Sequence, residues 1–259
     1  MLKFLMAALI AACSLISAPT SAAKIAPEAY AMRVPPAEVQ GQAIHILVID
    51  NRPYVLDGDS AETYEGMTRE VYGIPISRNT ADRTTMASYL GERIRIGFER
   101  AGYEATYTPS PKGSKPDARA TEVANEAIDL IFVVDMREWS YDMGFAKPLF
   151  TYDVTVDVRD GAGNLLATQD FAAAEPMPTG GFKHFKRRYA ELYQTIFDGI
   201  FAARGISDGL AGTPTISAPT ETPSLTVEER IAKLRDMRAK GLIDEDAYER
   251  QQERILSEL

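Results

Sequence analysis

Two continuous apolar runs, Ile44-His45-Ile46-Leu47-Val48-Ile49 and Leu130-Ile131-Phe132-Val133-Val134, constrain this chain more than any other feature. Neither alternates, and both are rich in β-branched side chains, so each suits a strand buried in the middle of a sheet. Asp50-Asn51-Arg52-Pro53 ends the first, because proline has no N–H to give to a ladder. A third segment behaves differently. Phe150, Tyr152, Val154, Val156 and Val158 alternate with Thr151, Asp153, Thr155, Asp157 and Arg159, which predicts a strand with one buried and one wet face. The turn Asp160-Gly161-Ala162-Gly163-Asn164 then predicts a hairpin partner over Leu165 to Phe171.

Such a sheet needs cover, and two long amphipathic segments supply it. Met86, Leu90, Ile94 and Phe98 recur every four residues and predict a helix from Thr85 to Ala101, with Gly102 at its C-cap. Tyr189, Leu192, Tyr193, Ile196, Phe197, Ile200 and Phe201 form a broad stripe on a helix from about Lys186 to Arg204, closed by Gly205. Between them the pattern predicts a strand over Tyr103 to Thr108, a polar loop, and a short helix through Val123 and Ala127. The stretch 53–83 is too long for a connector, and one short strand is expected inside it over Glu70 to Ile76. The fold class is therefore α/β (α+β): a mixed sheet of four to five strands covered by two long helices, then a flexible linker and a C-terminal helical hairpin.

The chain opens with signal-peptide grammar: Lys3, an apolar run from Phe4 to Ile16, then small residues to Ala23. The run is too short, and too soon interrupted by Pro19, for a spanning helix. Two maturations are open. Ser21-Ala22-Ala23 is a conventional cleavage site after Ala23, giving a signal over 1–23. Ile10-Ala11-Ala12-Cys13 resembles a lipobox, giving a signal over 1–12 and a lipid on Cys13. Cys13 is the single cysteine, so under either maturation no intrachain disulfide holds the fold. Residues 24–42, rich in Ala, Pro and Glu, read as a disordered leader; 43–205 form the α/β domain, 206–224 a Pro/Thr/Ser/Gly linker, and 225–259 a separate hairpin.

That hairpin has a full set of boundary signals. Thr226 and Glu229 form a capping box. Ile231, Leu234 and Met237 make an apolar stripe, Gly241 stops the helix with Leu242 and Ile243 behind it, and Asp244 caps a second helix bearing Tyr248, Ile255, Leu256 and Leu259. The segment resembles the short C-terminal domain family known as SHOCT, on Ile231, Leu234, Lys240, Gly241, Leu242, Ile243, Glu245, Asp246, Tyr248, Ile255 and Leu256. It departs from that pattern at Asp244, Ala247 and Tyr248, substitutions that still cap and pack. Two such helices bury too little surface to be stable alone. The hairpin is expected to dock on a second copy, on another envelope protein or on its own body. Over 44–203 the body resembles, in order and pattern, the YajG-type envelope lipoproteins: a strand ending in Asp50-x-Arg52, a helix through Leu90, Gly91 and Ile94 ending at Gly102-Tyr103, the alternating strand, and a covering helix. That resemblance implies an envelope protein and brings no catalytic motif with it.

Candidate chemistry is sparse. The two apolar strands end alike, VIDNR with Asp50 and Arg52, and VVDMR with Asp135 and Arg137. Side by side and parallel, they would gather four charges at one sheet edge, where α/β folds bind ligands; the competing expectation is a structural ion-pair lattice. Asp153, Asp157, Asp160 and Asp170 suggest a cation site or the wet face of a hairpin. His45 lies inside a strand, and His184 belongs to the basic run Lys183-His184-Phe185-Lys186-Arg187-Arg188. Trp139 and Tyr141 suit a groove or a loop anchor. No nucleophile elbow, Walker loop, dinucleotide fingerprint or zinc spacing is present. The formal charge of -9 argues against a general nucleic-acid binder. These features point to a non-enzymatic envelope protein, an assembly or binding module without cofactor or metal, touching membrane only through a lipid on Cys13. The alternatives are a periplasmic small-ligand binder with 53–83 as a lid, and an envelope hydrolase working at the Asp/Arg edge.

Overall fold

The fold is organised around one long strand, in a computed structural model that describes residues 27–69, 72–143, 148–177 and 185–213 and the single positions 231, 235 and 252. That strand, β5 (Leu130–Met143), has β6 (Leu149–Asp160) antiparallel along one edge, from Leu130↔Asp160 to Asp142↔Leu149. Its other edge is shared. The first half pairs in parallel with β1 (Ala43–Asp50), from Ile44↔Leu130 to Asp50↔Met136. The second half pairs in parallel with β2 (Tyr64–Arg69), from Gly66↔Tyr141 to Thr68↔Met143. An irregularity between Met136 and Glu138 falls where β1 ends and the strand passes to its next partner. Outside these lie β3 (Pro75–Asn79) on β2, β4 (Glu104–Tyr107) parallel to β1, and β7 (Leu165–Pro176) on β6, which makes seven strands among the described residues.

The faces are unequal. On one face pack α2 (Met86–Ala101), α4 (Phe185–Ala202) and α5 (Arg204–Leu210), and Ile44, Ile46, Val48, Phe132, Val134, Trp139, Phe150, Val154, Val156 and Val158 meet them in the main core. On the other, α3 (Pro116–Val123) covers a small cluster of Leu47, Ile49, Ala120, Ile131 and Val133. The continuous apolar runs are explained by this arrangement: even-numbered residues of β1 feed the large core, and odd-numbered ones the small core. Helix α2 runs as its period predicts. Thr85 Oγ1 accepts from Ser88 N–H at 3.1 Å at its start. Gly102, at φ 99°, takes the left-handed position that ends it.

Four expectations need correction. Among the described residues the sheet has seven strands rather than four to five. The additional pairing comes from 53–83, where α1 (Pro53–Leu56) is followed by the β2–β3 hairpin in place of one strand over Glu70 to Ile76. Gly66, Pro75 and mixed polar residues dilute the alternation there, and tertiary pairing decides the structure. The 53–83 segment read as a lid is thus built into the sheet. Residues 24–42 are not a disordered leader from Pro27 onward: Pro27–Tyr30 form a 3-10 turn, and Ala31, Met32 and Ala37 are buried against α2 and α4. The domain also continues past 205. Helix α4 ends at Ala202, Gly205 lies inside α5, and Ile206 and Leu210 are buried in the main core. Stripe periodicity carries no mark of that break, because Ala203 turns the chain without a glycine or proline.

Cys13, Ala23 and His184 lie outside the described residues, as do Leu234, Met237, Gly241, Ile243, Tyr248, Ile255 and Leu256 of the expected hairpin. Within that hairpin, Ile231, Arg235 and Gln252 are described, and all are helical.

Candidate functional site

The parallel pairing of β1 with β5 puts the two charged strand ends beside each other, and the register then separates them. Ile49 pairs with Asp135 and Asp50 with Met136. Paired residues point to the same face, so Asp50 faces the main core while Asp135 faces the α3 side. The four charges expected at one edge form two unrelated groups.

The first group is a clamp. Arg52 is 0% exposed, and its guanidinium grips Asp50 in a two-point pair, Nε to Oδ1 and Nη2 to Oδ2, each at 2.8 Å. The remaining donors go to main-chain carbonyls: Nη1 to Tyr64 at 2.7 Å and Trp139 at 3.2 Å, Nη2 to Glu62 at 3.4 Å. Tyr54 lies beneath the guanidinium, with its ring centroid 5.4 Å from Cζ. Burial works against the cation, but hydrogen bonding and attraction to Asp50 outweigh it and hold the pKa above the usual arginine value. Every guanidinium N–H is used internally, so the clamp ties β1, the 53–64 segment and β5 together and presents no donor to a ligand.

The second group lies on the opposite face. Asp135 Oδ1 accepts from Asn51 Nδ2 at 2.5 Å, and the same amide donates to the Ser114 carbonyl at 3.2 Å. Arg137, at the β5 irregularity, reaches Asp153 at 2.6 Å and Asp170 at 3.1 Å, and donates to Thr155 Oγ1. Arg159 bridges Asp157 at 2.6 Å and Asp117 at 2.5 Å. Asp160 stays in the β6–β7 turn, where its carboxylate accepts from the N–H groups of Ala162 and Asn164. The acidic residues considered for a cation site are thus distributed onto arginines and a turn. Among the described residues no group of His, Cys, Asp and Glu is arranged to hold a metal ion.

Asp135 is the strained member of this group. Burial raises its pKa first, and Asp157 and Asp153 add repulsion that Asn51 and Arg137 only partly offset. An acid whose folded pKa lies above its unfolded value binds its proton more tightly when folded. Its ionisation therefore removes stability as pH rises from the unfolded value through the folded one. Asp135→Asn keeps an acceptor for Asn51 and removes that penalty. The variant should melt higher than the wild type at pH 7 and match it near pH 3; a lower melting temperature at pH 7 would show that the Asp135 charge stabilises the fold.

His45 contributes little here. His45 Nδ1 lies 2.8 Å from Thr106 Oγ1, a contact set by the β1–β4 register that pairs them directly. Burial and then nearby Arg119 lower its pKa, so the ring is neutral at pH 7. Trp139 is a core residue, its ring 5.1 Å from both Phe150 and Tyr193. Tyr141 stacks on Tyr189 at 4.4 Å.

Three polar groups, the part-buried Glu138 and the buried Arg93 and Glu65, have no counterpart in the sequence reading. Glu138 Oε1 accepts from Tyr54 Oη at 2.8 Å and from the Trp139 N–H at 2.9 Å, and burial raises its pKa. Arg93, on the inward face of α2, lies 3.4 Å over the Tyr89 ring and donates to the Tyr89 carbonyl at 2.8 Å. Nearby in the same core, Tyr193 donates to Glu65 at 3.0 Å. The irregularity at Arg137 breaks the period that would have flagged Glu138. An arginine at i+4 from a tyrosine reads as a solvent-facing helix residue unless the packing is known.

No family model matches the chain, and no curated protein matches it. Solved structures similar to it include a Xanthomonas campestris protein of the DUF330 family, at 12% identity and TM-score 0.42, over 70% of this chain and 93% of that one. A Neisseria meningitidis lipoprotein is similar at 11% identity and TM-score 0.31, over 61% and 99%. A Chlamydia trachomatis hypothetical protein is similar at 13% identity and TM-score 0.36, over 68% and 99%. Similarity at this level settles neither family membership nor function. No helix among the described residues is long and apolar enough to cross a membrane.

Proposed function

We propose that this is an exported, non-enzymatic cell-envelope module whose C-terminal hairpin associates with a second copy of the chain. The observation that carries the reading is the mismatch at the C-terminus. The body completes its own core with Ile206 and Leu210, while the sequence sets Ile231, Leu234, Met237, Tyr248, Ile255 and Leu256 at the spacing of apolar stripes in a segment too short to make a core of its own. The Pro/Thr/Ser/Gly stretch between the two lets the hairpin reach another molecule. Identical stripes can pair isologously. Saturation of the Arg52 clamp supports a scaffold rather than a reaction centre at the strand ends.

Sedimentation of the mature chain tests this. Full-length protein should be a dimer or larger, deletion of 225–259 should leave a folded monomer, and Leu234→Asp should behave like the deletion. A monomeric full-length chain at high concentration sinks self-association, and crosslinking in envelope fractions would then identify a foreign partner. Recovery of an uncleaved chain from the cytoplasm would sink export.

A further inference from the structure

The cover on the smaller face of the sheet is thin, and a buried histidine stands next to it. Helix α3 puts one fully buried side chain, Ala120, into the cluster with Leu47, Ile49, Ile131 and Val133, and Val123 packs at its margin. Lys115, at the N-cap, makes no side-chain bond to the helix. The ion pair that ties α3 to β6, Arg159 with Asp117, ends on a carboxylate that is 85% exposed, so it adds little hold. Strand β1 is anchored far better, with parallel ladders to β4 on one side and β5 on the other.

His45 belongs to this face, since odd-numbered residues of β1 point to it. It is 8% exposed. Nδ1 of its ring lies 2.8 Å from Thr106 Oγ1, while Nε2 is buried and has no hydrogen-bond partner among the described residues. Arg119 of α3 is the charged group that acts on the ring. Its Nη1 goes to Glu122, a carboxylate 65% exposed, and its Nε is buried without a partner as well. The other charged groups nearby are engaged or in water. Asp129 accepts from the Ala43 N–H at 2.7 Å, Lys112 donates to the Val55 carbonyl, and Glu104 and Lys115 are exposed. Ile131, the partner of His45 on β5, brings no charge. A neutral imidazole suits this place. With its proton on Nδ1 it donates to Thr106 and leaves Nε2 a lone pair. A second proton would sit on Nε2, buried, without an acceptor and subject to the Arg119 cation.

We infer that α3 is an acid-released cover: protonation of His45 sets its charge against Arg119 across β1 and α3, and the helix, as the weaker element, lifts. Release uncovers Leu47, Ile49, Ile131 and Val133 while the main core on the opposite face stays closed. Burial and then Arg119 hold the His45 pKa below the usual histidine value. A proton therefore binds the open form more tightly than the closed one, and closure weakens as pH falls from the open-form value through the closed-form value. The penalty at Asp135 eases over its own range as pH falls, so the two groups oppose each other and a histidine variant is needed to separate them. The device belongs to the body and holds whether or not the C-terminal hairpin associates.

The test is amide hydrogen exchange on the mature chain, from Lys24 onward, between about pH 7.5 and about pH 5, with protection corrected for intrinsic rates. The N–H groups of Arg119 and Ala124 bond to the Lys115 and Ala120 carbonyls within α3. Their protection should fall by up to about tenfold for each pH unit by which the fold lowers the His45 pKa. Tyr89 on α2, bonded to the Thr85 carbonyl, should keep its protection. His45→Gln keeps a hydrogen bond to Thr106, takes no second proton, and should make α3 protection flat over this range. Arg119→Gln should shrink the fall, because it removes the opposing cation. The His45 ring signal in the wild type, assigned by its absence from His45→Gln, gives an independent reading of the titration. A midpoint at or above about 6.5 overturns the inference. So does an equal fall in His45→Gln, or a fall shared by Tyr89, which marks general acid unfolding instead of release of α3.

Discussion

Arg52→Ala should destabilise the body by about 3–5 kcal/mol, because it leaves a carboxylate buried without its counter-charge. Asp50 is 2% exposed, and water cannot replace the guanidinium without opening the sheet. The loss extends past the ion pair. The carbonyls of Tyr64 and Trp139 lose the Arg52 donor together, the Glu62 carbonyl keeps only the Met86 N–H, and the tie between the 53–64 segment and the centre of β5 goes with them. For a domain of this size the melting temperature should fall by about 10 °C or more. Arg52→Lys should recover only a minor part, since an ammonium keeps the charge but cannot reproduce a two-point grip plus three carbonyl contacts. Denaturant unfolding of the two variants and of an Asp50→Asn/Arg52→Met pair gives the comparison. The paired variant should lose less than Arg52→Ala, because it removes the orphaned charge. A wild-type melting curve for Arg52→Ala, accompanied by loss of partner binding, would make this a recognition site instead of a clamp.

The same residues show how far a sequence of this kind can be read. The parallel neighbourhood of VIDNR and VVDMR is foreseeable, because two unbroken β-branched runs belong at the centre of one sheet. Which face each charge takes is not, since that depends on a one-residue register, Ile49 with Asp135 rather than Asp50 with Asp135. Helix α2, the alternating strand β6 and the β6–β7 turn all follow from local periodicity and capping, where the deciding interactions lie within a few residues. The β2–β3 hairpin is a different case. Its strands are short, contain glycine and begin at proline, and they exist because the second half of β5 offers an unpaired edge beyond the end of β1. Glu65 and Arg93 are hidden for the related reason that burial of a charge is decided by what packs over it. A tail of Pro/Thr/Ser composition and an N-terminal segment of Ala/Pro composition look alike in sequence, yet part of the latter is built into the core.

That segment leads to the second large effect. Met32 is 2% exposed within the main core, its N–H bonded to the Arg93 carbonyl at 3.0 Å, and Gln194 Nε2 holds the Ala31 carbonyl at 2.7 Å. Residues 31–37 therefore act as a strap joining α2 to α4. Met32→Asp buries an unpaired carboxylate and should cost about 3 kcal/mol or more. Gly97 provides an independent probe from the helix side. A Cβ at that position would stand 2.4 Å from the Met32 carbonyl oxygen, a backbone atom that cannot swing aside. Gly97→Ala should then force the strap outward at about 1–3 kcal/mol, despite the better helix propensity of alanine. By contrast, Arg33→Ala removes an ion pair to Asp198 whose side chains are 58% and 38% exposed, and should cost under about 1 kcal/mol. Limited trypsin digestion separates strap release from general unfolding. In native buffer Arg33 should resist cleavage in the wild type and be cut early in the Gly97 and Met32 variants, while the sheet arginines stay protected. Early cleavage at Arg33 in the wild type, with melting unchanged by Met32→Asp, would return this segment to a loose leader and leave the α2–α4 groove open.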